Sequence, residues 1–220
     1  VRVPPITPSE LSDEQRPLDE HVRRMLRDLR APFTSTDENG ALIGPFPVML
    51  RFPGLARPLL EWFTTVTDGS VLPARVREVA VLTTGSRHGA AYELYSHSRV
   101  AAAVGLPDDV VADLVAGRRP AGLSREEAVA YDVAAGLHDG GPLPAALYRA
   151  AVGAFGETGM AELVFLIAQY AGISLLLNAY DVPVPSDASG GSRPGTRRYD
   201  TSIPPLEAMC RSTPSPAVRK

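Results

Sequence analysis

Lysine and cysteine are almost missing from this chain of 220 residues, and each gap excludes chemistry. Lys220, the last residue, is the only lysine, and the other 21 basic residues are arginine. No lysine in the body can form a Schiff base, so pyridoxal phosphate enzymes and lysine aldolases are excluded. The single cysteine, Cys210, lies in the last eleven residues. One thiol allows no disulfide framework, CxxC pair or zinc-finger spacing within a chain. Positive charge is scarce too: the net charge is −3 and the pI about 5.8. With no basic stripe interleaved with aromatics, the footprint of a nucleic-acid binder is absent. There is no GxSxG elbow, no Walker loop and no GxGxxG after a strand, so nothing indicates a nucleotide, flavin or other cofactor. The first residues, VRVPPITPSE, lack the apolar run of a signal peptide, and they lack Met, which implies trimming. A cytoplasmic protein is the expectation.

What the chain does have is helical periodicity. It is 45% hydrophobic and 21% charged, which suits one globular domain with extensions. A helix is expected from Ser12 to about Leu29, with Val22, Leu26 and Leu29 on one stripe. Residues 32–47 carry Gly40, Gly44, Pro45 and Pro47 and read as a functional loop. Further helices are expected after Pro53, after Pro73 and over 90–104, ended by Gly105. Others follow Pro107, the capping box Ser124-Arg125-Glu126-Glu127, and Pro144. A last helix from Met160 to about Tyr180 is apolar almost all round. Glu162, Gln169, Ser174 and Asn178 punctuate it, so a core or intersubunit helix is expected rather than a membrane span. No strand alternation of useful length exists, so the fold class is all-α. Three regions follow: an N-terminal extension and helix over 1–40, a helical domain over 41–183 and a C-terminal tail over 184–220. The tail is rich in Pro, Ser and Gly and holds six basic against three acidic residues. Ile203, Leu206 and Met209 are its apolar anchors.

Candidate chemistry concentrates in AAYELYSH, residues 90–97, and REVAVL, residues 77–82. Glu93 and His97 are four residues apart and share a helix face. They form either an exposed i,i+4 contact or a proton-handling pair lining a pocket. Tyr92, Leu94 and Tyr95 around Glu93 favour desolvation, which raises a carboxyl pKa, while an adjacent imidazole offsets the rise. Glu78 is either in a surface pair with Arg77 or a buried carboxylate in need of a partner, which His97 can supply. His88 reads as a surface or capping residue. A metal site from His88, Glu93 and His97 is disfavoured because HExxH spacing is absent and no Asp or Cys completes a cluster. His21 and His138 read as helix-end residues.

The order REVAVL, YELYSH, then an apolar helix ending in VGLPDD resembles the carboxymuconolactone decarboxylase family, of the alkylhydroperoxidase D-like superfamily. The resemblance covers roughly residues 41–183 and includes GALIGPF at 40–46 and LLLNAYDVPVP at 175–185. In the peroxidase branch a glutamate precedes a CxxC by twelve residues, and a histidine follows four residues after the second cysteine. Those positions fall here on Glu78, Ala90, Glu93 and His97. The relay residues match and both thiols are missing, so thiol peroxidase activity is not expected.

The resemblance implies an alkylhydroperoxidase D-like helical bundle and a cofactor-free acid/base enzyme of decarboxylase, dehydratase or isomerase type, with secondary metabolism as its expected setting. Its substrate would be a small cyclic, carboxylated or lactone/carbonyl compound. Glu93 and His97 would share the proton work, with Glu78 orienting His97. Arg51, Arg77 and Arg87 are candidates to hold a substrate carboxylate. His88 and Tyr92 are further candidates to contact substrate, and Phe46 would form a pocket wall. The resemblance also implies a homo-oligomer, trimer or hexamer. A lactone hydrolase and a non-catalytic small-molecule binding protein are the alternatives.

Overall fold

The structure, a computed structural model, describes residues 1–186. Most of the C-terminal tail, including Ile203, Leu206, Met209 and Cys210, lies outside the described residues. Within them the fold is all-α: α1 (Arg16–Asp28), α2 (Phe46–Arg51), α3 (Pro53–Thr67), α4 (Ala74–His88), α5 (Ala91–Ala103), α6 (Asp108–Val115), α7 (Arg125–His138) and α8 (Ala145–Ala179).

Local signals place most of the boundaries. Pro73 precedes α4 in an extended conformation, and Gly89 ends it at a φ of 61°. There the Ala90 N–H donates to the Gly85 carbonyl, 3.0 Å away, so a last-turn carbonyl is satisfied as the chain turns into α5. Gly105 closes α5 in the same way, with the Leu106 N–H donating to the Ala101 carbonyl at 2.9 Å. Ser124 and Glu127 form both halves of a capping box on α7. α8 is broken at Gly156, whose φ of 71° and ψ of 177° are not helical. The two helices expected after Pro144 and Gly159 are therefore the two arms of α8.

Two expectations fail at the N-terminal end. α1 is regular from Arg16 rather than Ser12: Ser12 and Gln15 bond reciprocally across the turn that leads into it, and Pro17 has no N–H to continue the ladder back to Asp13. The 32–47 segment gives way to α2 at Phe46. Pro45 and Pro47 read as loop punctuation, yet proline is tolerated in a first helical turn, where N–H groups have no intrahelical acceptor.

Two apolar clusters make up most of the interior. One joins α4, α7 and α8 through Val76, Ala80, Val133, Leu163 and Ile167. The other joins the N-terminal segment and α1 to α2 and α3 through Ile6, Leu18, Val22, Leu50 and Leu60. Residues 1–40 thus share a core with the elements that follow them. Among the described residues α8 is long and apolar enough to cross a membrane by length and composition, a test that a core helix also passes. Its inner face carries Leu163, Leu166, Ile167 and Tyr170, all buried in the first cluster.

Gly44 fixes how the 32–45 segment meets α5. Its φ is 75°, and a Cβ there would lie 2.5 Å from the Tyr92 ring. Both the backbone and the contact require glycine. Gly44→Ala is expected to cost about 1–3 kcal/mol. Thermal unfolding of the purified variant measures it, and an unchanged midpoint would show that this contact does not hold the segment.

Candidate functional site

The two clusters meet around a cavity of about 300 Å³, a size at the lower end of ordinary small-molecule pockets. Its wall is overwhelmingly apolar, with Met25 and Leu26 of α1, Phe33, Phe46 and Met49 of α2, Phe63 of α3 and Ile173 of α8. The polar groups facing it are few: Arg77, Glu78, Glu93, Ser96, His97, Gln169 and Tyr170 among them.

The register of α4 and α5 brings the carboxylates to the imidazole. Gly85 lets the two helices approach closely, since a Cβ there would sit 3.1 Å from Cγ of Glu93 and 3.3 Å from Leu94. Glu93 is consequently 2% exposed. One turn further along α5, His97 places Nδ1 at 2.8 Å from Oε2 of Glu78 on α4. A carboxylate only accepts, so the imidazole N–H donates and Nε2 is left for another partner. The His97 ring stands edge-on to Tyr170 of α8, with centroids 4.8 Å apart at 84°. His97 therefore bonds to Glu78, and Glu93 acts on it through charge.

Glu93 is pushed up to about 8, first by burial, against the His97 charge and with help from the Glu78 charge. At neutral pH it is a carboxylic acid. Its Oε1 has no hydrogen-bond partner among the described residues. For His97, burial alone would favour the neutral ring. The charge of Glu78 and its hydrogen bond oppose that, joined by the charge of Glu93 once it ionises, and the pKa is raised. Tyr170 is held well above the ordinary phenol range by burial and by both carboxylates, so it stays a neutral O–H.

The remaining expected contacts separate cleanly. Arg77 is half-buried on the cavity wall, and the only hydrogen bond of its side chain among the described residues is a long one, 3.5 Å, to the Thr67 carbonyl. Tyr92 and Phe46 also line the cavity, with the Tyr92 hydroxyl donating to the Thr34 carbonyl at 3.1 Å. Arg87 and His88 do not line it, which corrects the expectation for both. They occupy the last turn of α4, beyond the stretch that faces the cavity. Arg87 is exposed and pairs with Asp139 at 3.0 Å. His88 packs edge-on against His138 at 5.1 Å, and burial lowers its pKa. Arg51 is exposed and donates to the Pro4 carbonyl. Among the described residues no cluster of His, Cys, Asp and Glu has metal-binding geometry.

Sequence reasoning missed Gln169 and Tyr170, and the α1 residues on the wall. A signal for Gln169 existed: it is a polar residue in the apolar stripe Leu166, Ile173 and Leu177 at helical spacing. Gln169 is 1% exposed, and neither its amide nitrogen nor its oxygen has a partner among the described residues. Each such group costs about 1–3 kcal/mol when left unsatisfied.

A buried acid with a raised pKa makes stability depend on pH. The folded chain keeps the Glu93 proton from the ordinary carboxyl value up to about 8, while the unfolded chain releases it. Folding stability from this group is therefore full at low pH and falls as pH rises through that window. Glu93→Gln is expected to unfold later than the parent at pH 8, by on the order of a few kcal/mol, and to match it near pH 4. Denaturant melts across that range test this, and parallel pH profiles for the two proteins would refute a raised Glu93.

No protein-family model and no curated protein matches the chain. Solved structures do match it in fold. The debrominase Bmp8, as a cysteine-to-alanine variant in complex with 2,3,4-tribromopyrrole, aligns with a TM-score of 0.67 and 17% identity, covering 86% of this chain and 94% of that one. The same debrominase in its apo form aligns with a TM-score of 0.66 and 16% identity, covering 84% of this chain and 93% of that one. These likenesses establish a shared all-α fold.

Proposed function

We propose that the chain is a cofactor-free acid/base enzyme of decarboxylase-like type, acting on a small cyclic compound that carries a carboxylate or a carbonyl. One observation carries the reading: a buried, protonated Glu93 shares an apolar cavity with the His97–Glu78 pair. Burial keeps the proton on Glu93 until pH is well above neutrality, which suits a general acid. Arg77 supplies a cation on the same wall for a substrate carboxylate. In a decarboxylation the bond to the carboxylate carbon breaks, its electron pair stays on the ring carbon, and Glu93 or His97 delivers a proton there. Glu78 holds the imidazole in orientation and stabilises its cationic form. Glu78 and His97 stand at the glutamate and histidine positions of the superfamily pattern that the sequence resembles, and Glu93 stands where that pattern has its second cysteine. The fold neighbours add that a debrominase of this fold accepts a small flat ring.

Purified protein offered a panel of cyclic β-keto acids and carboxylactones is expected to release carbon dioxide and to incorporate solvent deuterium at the carbon that lost it. Glu93→Gln and His97→Ala should each lower turnover by about 10²-fold or more. In the parent, kcat/KM should fall as pH rises through about 8, where Glu93 loses its proton. Near-parental turnover in both variants would remove the assignment. Oxygen from labelled water appearing in a ring-opened product would transfer the reading to a lactone hydrolase.

The proposal extends to self-assembly. α8 leaves Phe165 57% and Leu175 59% exposed on its outer face, with Ala161, Ala168 and Gly172 exposed between and beside them. A second copy of the chain covering this stripe accounts for its apolar character. Light scattering is expected to show a multimer, and Phe165→Glu is expected to reduce it to protomers. A monomeric parent would end this part of the reading.

A further inference from the structure

Gln169 stands in the middle of the α8 face that walls the cavity, between Leu166 and Ile173. Its amide offers two donors on nitrogen and an acceptor on oxygen. All of that capacity is unspent among the described residues, although the side chain is 1% exposed. A leucine or methionine would fill the same space without stranding polar atoms, so packing gives the fold no use for an amide here. Glu93 faces the same cavity with its Oε1 also unpartnered. With its proton retained, its hydroxyl is a donor. The cavity thus holds a planar donor–acceptor edge, a separate acid and, at Arg77, a cation.

Resting on the acid/base reading of this cavity, we propose that Gln169 seats the substrate and that the substrate carries a hydrogen-bond donor directly beside an acceptor on a small ring. Lactams and 2-hydroxy heteroaromatics have such an edge. A primary amide meets it with two parallel hydrogen bonds. Its N–H donates to the substrate acceptor, and its carbonyl accepts from the substrate donor. A ring with two acceptors, such as a bare carboxylate, mismatches the amide carbonyl and falls to Arg77 instead. The ring is thereby held in a fixed orientation to Glu93 and His97, which is what acid catalysis at a single carbon needs.

Binding of 2-pyridone, which has the paired edge, and of N-methyl-2-pyridone, which has the acceptor alone, tests the seat without requiring turnover. The parent should bind 2-pyridone at least about tenfold more tightly in an NMR titration, given the loss of one of two matched bonds. One side-chain amide pair, absent from Gln169→Leu, should shift on binding. Gln169→Leu and Gln169→Met should lose the preference while unfolding at the same temperature as the parent or higher, because a stranded polar group has been removed. Equal binding of the two probes by the parent, or binding of neither, would overturn the proposal. So would lower unfolding temperatures in both the Leu and Met variants, which would give the amide a structural role. Turnover lost in Glu93→Gln without any probe preference would sink the seat alone. A probe preference together with undiminished turnover in Glu93→Gln and His97→Ala would sink the acid/base reading alone.

Discussion

The close approach of α4 and α5 at Gly85 is the constraint on which the rest of the site depends. It drives the Glu93 side chain out of water into a body with few polar groups. A carboxylate there is expensive, so the group keeps its proton at neutral pH instead of ionising. A Cβ at Gly85 would meet the Glu93 and Leu94 side chains at 3.1 and 3.3 Å, so a larger residue would force them to shift. The same packing explains why Glu78 and His97 meet, since antiparallel helices joined through the Gly89 turn bring the middle of α4 to the second turn of α5.

The cavity exists because two cores do not merge. One cluster is organised by α4, α7 and α8, and the other by α1, α2 and α3. Side chains from both line the space between them, including Leu26 and Phe46 from one side and Val81 and Leu166 from the other. Low polarity is therefore imposed by the packing around the site and is the cause of its electrostatics. Few dipoles are present to stabilise a charge, so each ionised group must be matched by another. The His97–Glu78 pair satisfies this, and Glu93 satisfies it by staying neutral.

Sequence reasoning reached the parts of this structure that have local causes. The capping box at Ser124, the glycines at 89 and 105 and the prolines at 73 and 144 each act within one turn, and each placed a boundary. α2 escaped because the same proline that breaks a helix interior is harmless in its first turn. The spacing of Glu93 and His97 exposed a shared face, but whether that face met solvent or a cavity depended on α4, 15 residues or so away in sequence. Glu78 was marked by its place on an apolar helix, where a carboxylate needs a partner, and again by the family resemblance. Arg87 and His88 were drawn in by their nearness to it along the chain, but the last turn of α4 carries them away from the cavity. Gln169 and Tyr170 lie over seventy residues further on, and only the tertiary fold brings α8 to α5. A single polar residue within an apolar helical stripe was their one trace, and it reads equally as an ordinary interruption of a core helix.

On the proposed acid/base reading, the arrangement also sets a direction for proton transfer. Three titratable groups share the site: a carboxylate at Glu78, an imidazole with a raised pKa at His97 and a carboxyl held near 8 at Glu93. Burial holds the proton on Glu93, and the Glu78 carboxylate that accepts the His97 N–H favours the cationic ring. Such a site gives protons more readily than it takes them, because accepting one would require Glu93 to ionise first in an apolar cavity. Delivery from Glu93 leaves a buried carboxylate whose nearest compensation is the His97 cation. Glu78 then competes for that same cation through its hydrogen bond. Repulsion between the two carboxylates therefore drives Glu93 to recover a proton after each transfer. On that reading Glu93, His97 and Glu78, held in fixed positions by α4 and α5, are the groups that deliver a proton and recover it.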